Sequence, residues 1–210
     1  MDLIVTELSV ARGGIAILAG LGFSVTAGNA LVLRGPNGIG KTTVLRTIAG
    51  LQPALTGRVA PGPDQIAWSG HADAVKATLT VRENLAFWAA IYGAGDVEPA
   101  LADLHLIELA DRPAQTLSAG QKRRLGLARL LLSDRPVWVL DEPTVSLDAA
   151  TVAHFATLLA RHLGQGGAAL LTSHVDLGLH GAQELDLSPY RARGAAHMQA
   201  SPAGFDEAFL

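Results

Sequence analysis

The 210 residues suffice for one buried core and suit one domain, or one core with small lobes. Zero cysteines exclude disulfides and thiolate chemistry, and a formal net charge of −3 gives no electrostatic reason to expect a nucleic-acid partner. Hydrophobic residues make up 49%, yet no run nears the roughly 20 apolar residues that span a bilayer. The N-terminus lacks a charged region, an apolar stretch and a small-residue cleavage site in succession, so no signal peptide is expected.

Residues 3–34 alternate apolar and polar positions, broken at Gly13-Gly14 and Gly28, and predict short strands ending in a buried one at 31–34. A helix follows from Lys41, with Gly50 as its stop. The stretch 57–68 reads as a strand pair around Pro61-Gly62-Pro63. Val81, Leu85, Trp88 and Ile91 have helical spacing over 80–92. Residues 100–132 are mostly helical, with breaks near Pro113 and Gly120. Apolar runs at 137–140 and 168–172 predict buried strands, joined by a helix over 149–163. Strands and helices alternate at both ends around a helical middle, which predicts an α/β core with an inserted helical lobe. Residues 1–190 form one domain on this reading, the lobe occupies about 76–134, and the tail 191–210 is loosely ordered.

The chemistry starts at Gly35-Pro36-Asn37-Gly38-Ile39-Gly40-Lys41-Thr42-Thr43, which fits G-x-x-x-x-G-K-[ST] between an apolar strand and a helix. Three glycines let the backbone curl so that N–H groups face anionic oxygens, and a helix N-terminus adds positive potential. Lys41 supplies a full charge to β- and γ-phosphates, Thr42 a hydroxyl to Mg²⁺, and Thr43 reaches toward the α-phosphate. Val137-Trp138-Val139-Leu140 then runs into Asp141-Glu142-Pro143. The carboxyl end of a strand is where such sheets hold ligands. Asp141 suits the Mg²⁺ shell and Glu142 suits a general base for water.

Leu117-Ser118-Ala119-Gly120-Gln121 resembles the ABC signature LSGGQ, with Ala at one Gly position. A helix starting at Gln121 would aim its N-terminus, with Ser118 and Gly120, at an anion. Ser146-Leu147-Asp148 resembles the D-loop of that family; Asp148 also reads as a helix N-cap, and both readings hold open. Thr172-Ser173-His174 resembles its switch histidine. Over nearly the whole chain, to about Leu187, the sequence is thus similar to the ATP-binding subunits of ABC transporters. The resemblance implies a RecA-like P-loop core with an N-terminal antiparallel β lobe and an inserted α-helical lobe. It implies ATP and Mg²⁺ as cofactors and a homodimer in which Ser118 and Gly120 of one copy cap the γ-phosphate held by the other. His174 would contact that phosphate and hold Glu142 and water in register. Lys122-Arg123-Arg124 reads as a solvated helix face.

Two positions depart from the general family pattern. His71 stands where the Q-loop carries Gln, and protonation would make it pH-sensitive. No aromatic stands near Ala11-Arg12-Gly13, where a ring stacks on adenine; either the Arg12 guanidinium stacks there or nothing does. Both departures resemble the cytochrome c maturation, or haem exporter, branch of the family. So do Gly70-His71, Lys76, Leu79-Thr80, Glu83-Asn84-Leu85, Ala128-Arg129-Leu130 and Arg135-Pro136. That resemblance implies membrane subunits CcmB and CcmC as partners and a peripheral position on the cytoplasmic face of the bacterial inner membrane, touching the membrane only through them. It ties hydrolysis to release of a haem-loaded chaperone. His105, His154, His162 and His180 read as surface or helix residues, not haem ligands. Phe87, Trp88 and Tyr92 read equally as lobe core or as the groove that receives the membrane subunits. The alternatives are another bacterial ABC transporter for a lipid, drug or ion, a soluble ABC protein, and a module that senses ATP without hydrolysing it.

Overall fold

The computed structural model describes residues 1–179 and 181–192. Two strands, β1 (Leu3–Arg12) and β2 (Ile15–Val25), form a hairpin, and β4 (Thr56–Ala60) pairs with the other side of β1. This makes a three-stranded antiparallel sheet in the order β2-β1-β4. The second sheet is parallel, in the order β5-β6-β7-β3-β8. Its members are β3 (Ala30–Arg34), β5 (Ile66–Ser69), β6 (Val137–Asp141), β7 (Ala168–Thr172) and β8 (Gln183–Asp186).

Side chains on successive strand residues point to opposite faces, so a strand buried on both sides serves two cores. The three central strands do this. Leu31, Leu33, Val137, Val139, Ala168 and Leu170 pack with the antiparallel sheet and with α1 (Lys41–Ile48). Ala30, Val32, Trp138, Leu140, Ala169 and Leu171 face the other cluster. That second cluster also holds α2 (Val81–Tyr92), α3 (Glu98–Asp103), α4 (Ala119–Leu132) and α5 (Ala149–Gly164).

Local chemistry sets the helix ends. Thr80 caps α2 with its hydroxyl on the Glu83 N–H while Glu83 reaches back to the Thr80 N–H. Gly93, in the left-handed region at φ 74°, ends it. Asn84 is buried and donates to the carbonyls of Lys76, Leu79 and Thr80, which staples the loop before α2.

Several expectations need correction. Residues 57–68 hold two strands that do not pair: β4 joins the antiparallel sheet and β5 the parallel one. The stretch 100–132 is less helical than expected: α3 ends at Asp103, only short 3-10 turns at Ile107–Leu109 and Ala114–Thr116 follow, and α4 begins at Ala119. Strand β8 has an exposed, polar burial pattern and gave no apolar signal; pairing with β3 alone makes it a strand. Of the stretch expected to be loose, Arg191 bridges Leu18 and Ala192 donates to the Ile17 carbonyl, so these two residues dock on β2. The rest of that tail, 193–210, lies outside the described residues, as does His180. Among the described residues no helix is long and apolar enough to cross a membrane.

Candidate nucleotide site

The phosphate-type loop connects β3 to α1. Gly35, Gly38 and Gly40 have φ of 133°, 80° and 121°, a region open to glycine and costly for other residues. At Gly40 space also matters, since a Cβ would stand 2.8 Å from Ile17 Cδ1. Gly40 is the N-cap of α1 and supplies no side chain, so the first-turn N–H groups carry no side-chain cap. Lys41 Nζ folds back onto the carbonyls of Gly35, at 2.7 Å, and Pro36. Ile39 is buried and anchors the loop in the core. Thr43 is also buried; its hydroxyl accepts from Arg12 Nη2 at 3.2 Å, so Arg12 lies along the loop.

The carboxyl ends of β6 and β7 face this loop. Thr172, fully buried, is the register partner of Asp141. Its hydroxyl donates to Asp141 Oδ1 at 2.8 Å and accepts from the Glu142 N–H at 2.9 Å. Asp141 Oδ2 is buried and makes no hydrogen bond; His71 Nε2 lies 3.5 Å away. A buried carboxylate oxygen without a donor is costly unless a cation or a proton meets it. An oxygen donor beside the Thr42 hydroxyl suits a hard cation such as Mg²⁺. Glu142 sits at φ 50°, unusual for a residue with a Cβ. Its carboxylate accepts from the His174 N–H at 3.3 Å and lies 3.4 Å from His174 Nε2.

Arg12, Asn37, Gly38, Gly40, Lys41, Thr42, His71, Asp141, Glu142 and His174 thus line one cavity of about 240 Å³. A larger cavity, about 670 Å³, lies at the amino ends of β6 and β7 between Pro136, Trp138 and Gly167. Its His162 ring stacks on Trp138, with 4.0 Å between ring centroids, and burial holds the imidazole below its usual pKa.

An arrangement of this kind, with an uncapped helix N-terminus, a lysine and two carboxylates at strand ends, fits phosphate-anhydride chemistry. A family model described as ABC transporter matches residues 18–145. The chain belongs to the ABC transporter family. It is an ATP-binding subunit of that family, and such subunits hydrolyse ATP. It is 62% identical to the "Cytochrome c biogenesis ATP-binding export protein CcmA" of Rhodobacter capsulatus, with 99% of each chain covered. To the protein of the same name from Paracoccus denitrificans it is 58% identical, with 99% of this chain and 98% of the relative covered. An ATP-binding ABC transporter protein of Pyrococcus furiosus superposes with a TM-score of 0.80 at 25% identity, covering 91% of this chain and 100% of that one.

Not every residue singled out in the sequence reaches the cavity. Ser118, Gly120 and Asp148 sit elsewhere and form a second cluster. The Ser118 hydroxyl accepts from the Gln121 N–H and Gln121 answers on the Ser118 N–H, so the N-terminus of α4 is capped. A Cβ on Gly120 would stand 2.9 Å from the Ser146 carbonyl, which puts the two motifs side by side. Asp148 caps α5 through the Thr151 N–H, and that bond holds its carboxyl below the usual carboxylate range. Two residues escaped the sequence reading. Thr172 was legible only as a polar residue closing an apolar strand. Arg123, expected on a solvated face, is 4% exposed. Its spacing with Leu127 and Leu130, both buried, marked the inner face of α4.

Phe87 and Ile91 are 55% exposed, whereas Trp88 and Tyr92 pack against the core. Arg129 and Arg135 cover the rings of Trp88 and Tyr92. The aromatic stretch therefore divides between lobe core and surface.

Proposed function

We propose that the chain is the ATP-hydrolysing subunit of a cytochrome c maturation, or haem export, complex. It pairs there with membrane subunits of the CcmB and CcmC kind on the cytoplasmic face of the inner membrane. The observation that carries the hydrolytic half is the shared cavity of Lys41, Asp141, Glu142 and His174. The full-length identity to relatives named for cytochrome c biogenesis carries the rest.

In this reading ATP lies along the loop 35–43, with the N–H groups of Gly38, Ile39, Gly40, Lys41, Thr42 and Thr43 on its phosphates. Lys41 leaves the Gly35 carbonyl for the β- and γ-phosphates. Thr42 and Asp141 would hold Mg²⁺, which when bound would neutralise charge on the phosphate oxygens. Glu142 accepts a hydrogen bond from the attacking water and takes its proton as the water oxygen bonds to the γ-phosphorus and the γ-phosphorus–oxygen bond to the β-phosphate breaks, releasing ADP and phosphate. His174 stands on both Glu142 oxygens and fixes where that carboxylate points. His71, 3.5 Å from Asp141 Oδ2, would steady that carboxylate. Ser118 and Gly120 of a second copy close over the γ-phosphate, with Asp148 at the same interface.

The test has two arms. Phosphate release from ATP by the purified chain, lost in Glu142→Gln, supports the hydrolytic role; wild-type turnover in that variant overturns it. Recovery of cytochrome c maturation membrane subunits with the chain from native membranes supports the complex, and recovery of a lipid, drug or ion permease in their place assigns it to another transporter.

A further inference from the structure

Arg123 is a buried side chain of α4, three residues past the Gly120 of the signature-like segment, and Asp73 is its carboxylate partner at 3.1 Å. A guanidinium carries five N–H donors in a planar fork, and burying it is costly unless they are used. Here they divide between two segments. Nε donates to the Pro143 carbonyl at 2.9 Å, and Nη2 to the carbonyls of Glu142, at 2.7 Å, and Asp141, at 3.4 Å. Nη1 donates to the Gly70 carbonyl at 2.6 Å and to Asp73 Oδ1 at 3.1 Å.

The partners are placed tellingly. One set is the backbone on both sides of Glu142, including Glu142 itself, whose φ of 50° is a conformation a glutamate holds only under constraint. The other set brackets His71, one residue before and two residues after it. Asp73 also packs against α4, since a Cβ on Gly126 would stand 2.8 Å from the Asp73 carbonyl. The two segments also meet where β5 pairs with β6 and where His71 Nε2 lies 3.5 Å from Asp141 Oδ2, but among the described hydrogen bonds Arg123 is the side chain that holds the backbone of both.

We infer that Arg123 is a positioning residue that couples the His71 loop to the Glu142 carboxylate. It acts through backbone carbonyls rather than by touching ATP. A shift of the His71 loop pulls on Nη1, and the rigid planar fork passes the displacement to the backbone that aims the base. Lysine, with a point charge and no fork, cannot hold both segments at once. The inference rests on Glu142 being the base, and the experiment separates the two.

The full-length purified chain is compared with Arg123→Lys, Asp73→Asn and Glu142→Gln for kcat, nucleotide affinity and thermal unfolding. Asp73 is the informative position, because its carboxylate accepts from Arg123 and, among the described hydrogen bonds, from no residue of 141–143. We expect Arg123→Lys to lower kcat by about 10- to 100-fold, the usual cost of losing an orienting partner. Nucleotide affinity should move by less than about 3-fold, a fraction of the tenfold that 1.4 kcal/mol represents. Asp73→Asn should lower kcat in the same direction by a smaller factor, with binding unchanged, and it carries the test if Arg123→Lys does not fold. Wild-type kcat in a folded Asp73→Asn or Arg123→Lys overturns the coupling while an inactive Glu142→Gln leaves the base in place. Turnover and binding lost in equal proportion reduces Arg123 to a structural role and also overturns it. Wild-type turnover in Glu142→Gln removes the base reading itself.

Discussion

Two helix N-termini matter to this molecule, and they are prepared in opposite ways. At α1 the cap is Gly40, which brings no side chain, and Lys41 folds over a loop whose N–H groups await an anion. At α4 the cap is Ser118, engaged with Gln121 in a closed reciprocal pair. Helix starts leave orphan N–H donors that something must satisfy. The first site keeps them for a ligand and surrounds it with Thr42, Asp141, Glu142 and His174. The second uses two of its N–H groups, those of Ser118 and Gln121, in its own cap and lies beside Ser146. The second stays folded without a ligand, which is what a surface needs if its anion arrives on another copy of the chain.

The largest effect expected is on the first site. Glu142→Gln should lower turnover by about 10²–10⁴-fold, the range for a general base. ATP binding should remain, and with hydrolysis stopped the two helix starts should be trapped on one phosphate as an ATP-dependent dimer. Size measurement by light scattering with and without ATP reads this, and a monomer in both conditions breaks the pairing of the two sites. Next, Lys41→Ala should weaken nucleotide binding by about 1.5–3 kcal/mol, the worth of hydrogen bonds to a charged group. Titration with a fluorescent ATP analogue measures it. The comparison is sharpest at Ser118. Asp is as good an N-cap as Ser, whereas Ala costs about 0.5–2 kcal/mol. Ser118→Asp should therefore keep the unfolding temperature and monomer ATP affinity but abolish ATP-driven dimerisation, because it adds a negative charge where a phosphate would dock. Equal dimerisation in Ser118→Asp and wild type would sink the idea that α4 meets an anion.

The smallest effect lies far from both sites. Burial holds the folded His162 imidazole below its ordinary value of 6.5, so the unfolded chain takes up a proton that the folded chain refuses. Its contribution is complete above that value and is lost as pH falls below it toward the depressed folded pKa. Thermal unfolding followed between neutral and mildly acidic pH should show this decline, and His162→Gln should flatten it while nucleotide affinity stays unchanged.

Much of this was readable from the chain. The phosphate loop, the acidic strand end and the switch stretch each combine a buried strand with a polar terminus, and that contrast is written in sequence. Helix α2 was legible because Val81, Leu85, Trp88 and Ile91 recur at helical spacing. Strand β8 was not, since its partner β3 lies about 150 residues earlier and its own side chains are polar. Arg123 was missed because charge usually marks solvent. The Asp73 carboxylate and the converging carbonyls of Gly70, Asp141, Glu142 and Pro143 make its burial tolerable, and these come from distant segments. Thr172 needed the register of β6 against β7 before its two bonds had meaning.

The left-handed turn at Glu142 also has a bearing on parity. In an extended chain two neighbouring carboxylates point to opposite sides, so Asp141 and Glu142 would serve different faces of the sheet. One positive φ, at the first residue beyond β6, reverses that phase and lets both acids look into the same cavity. The odd–even pattern that sorts the residues of β6 between two cores stops at its end, and consecutive acids share one cavity.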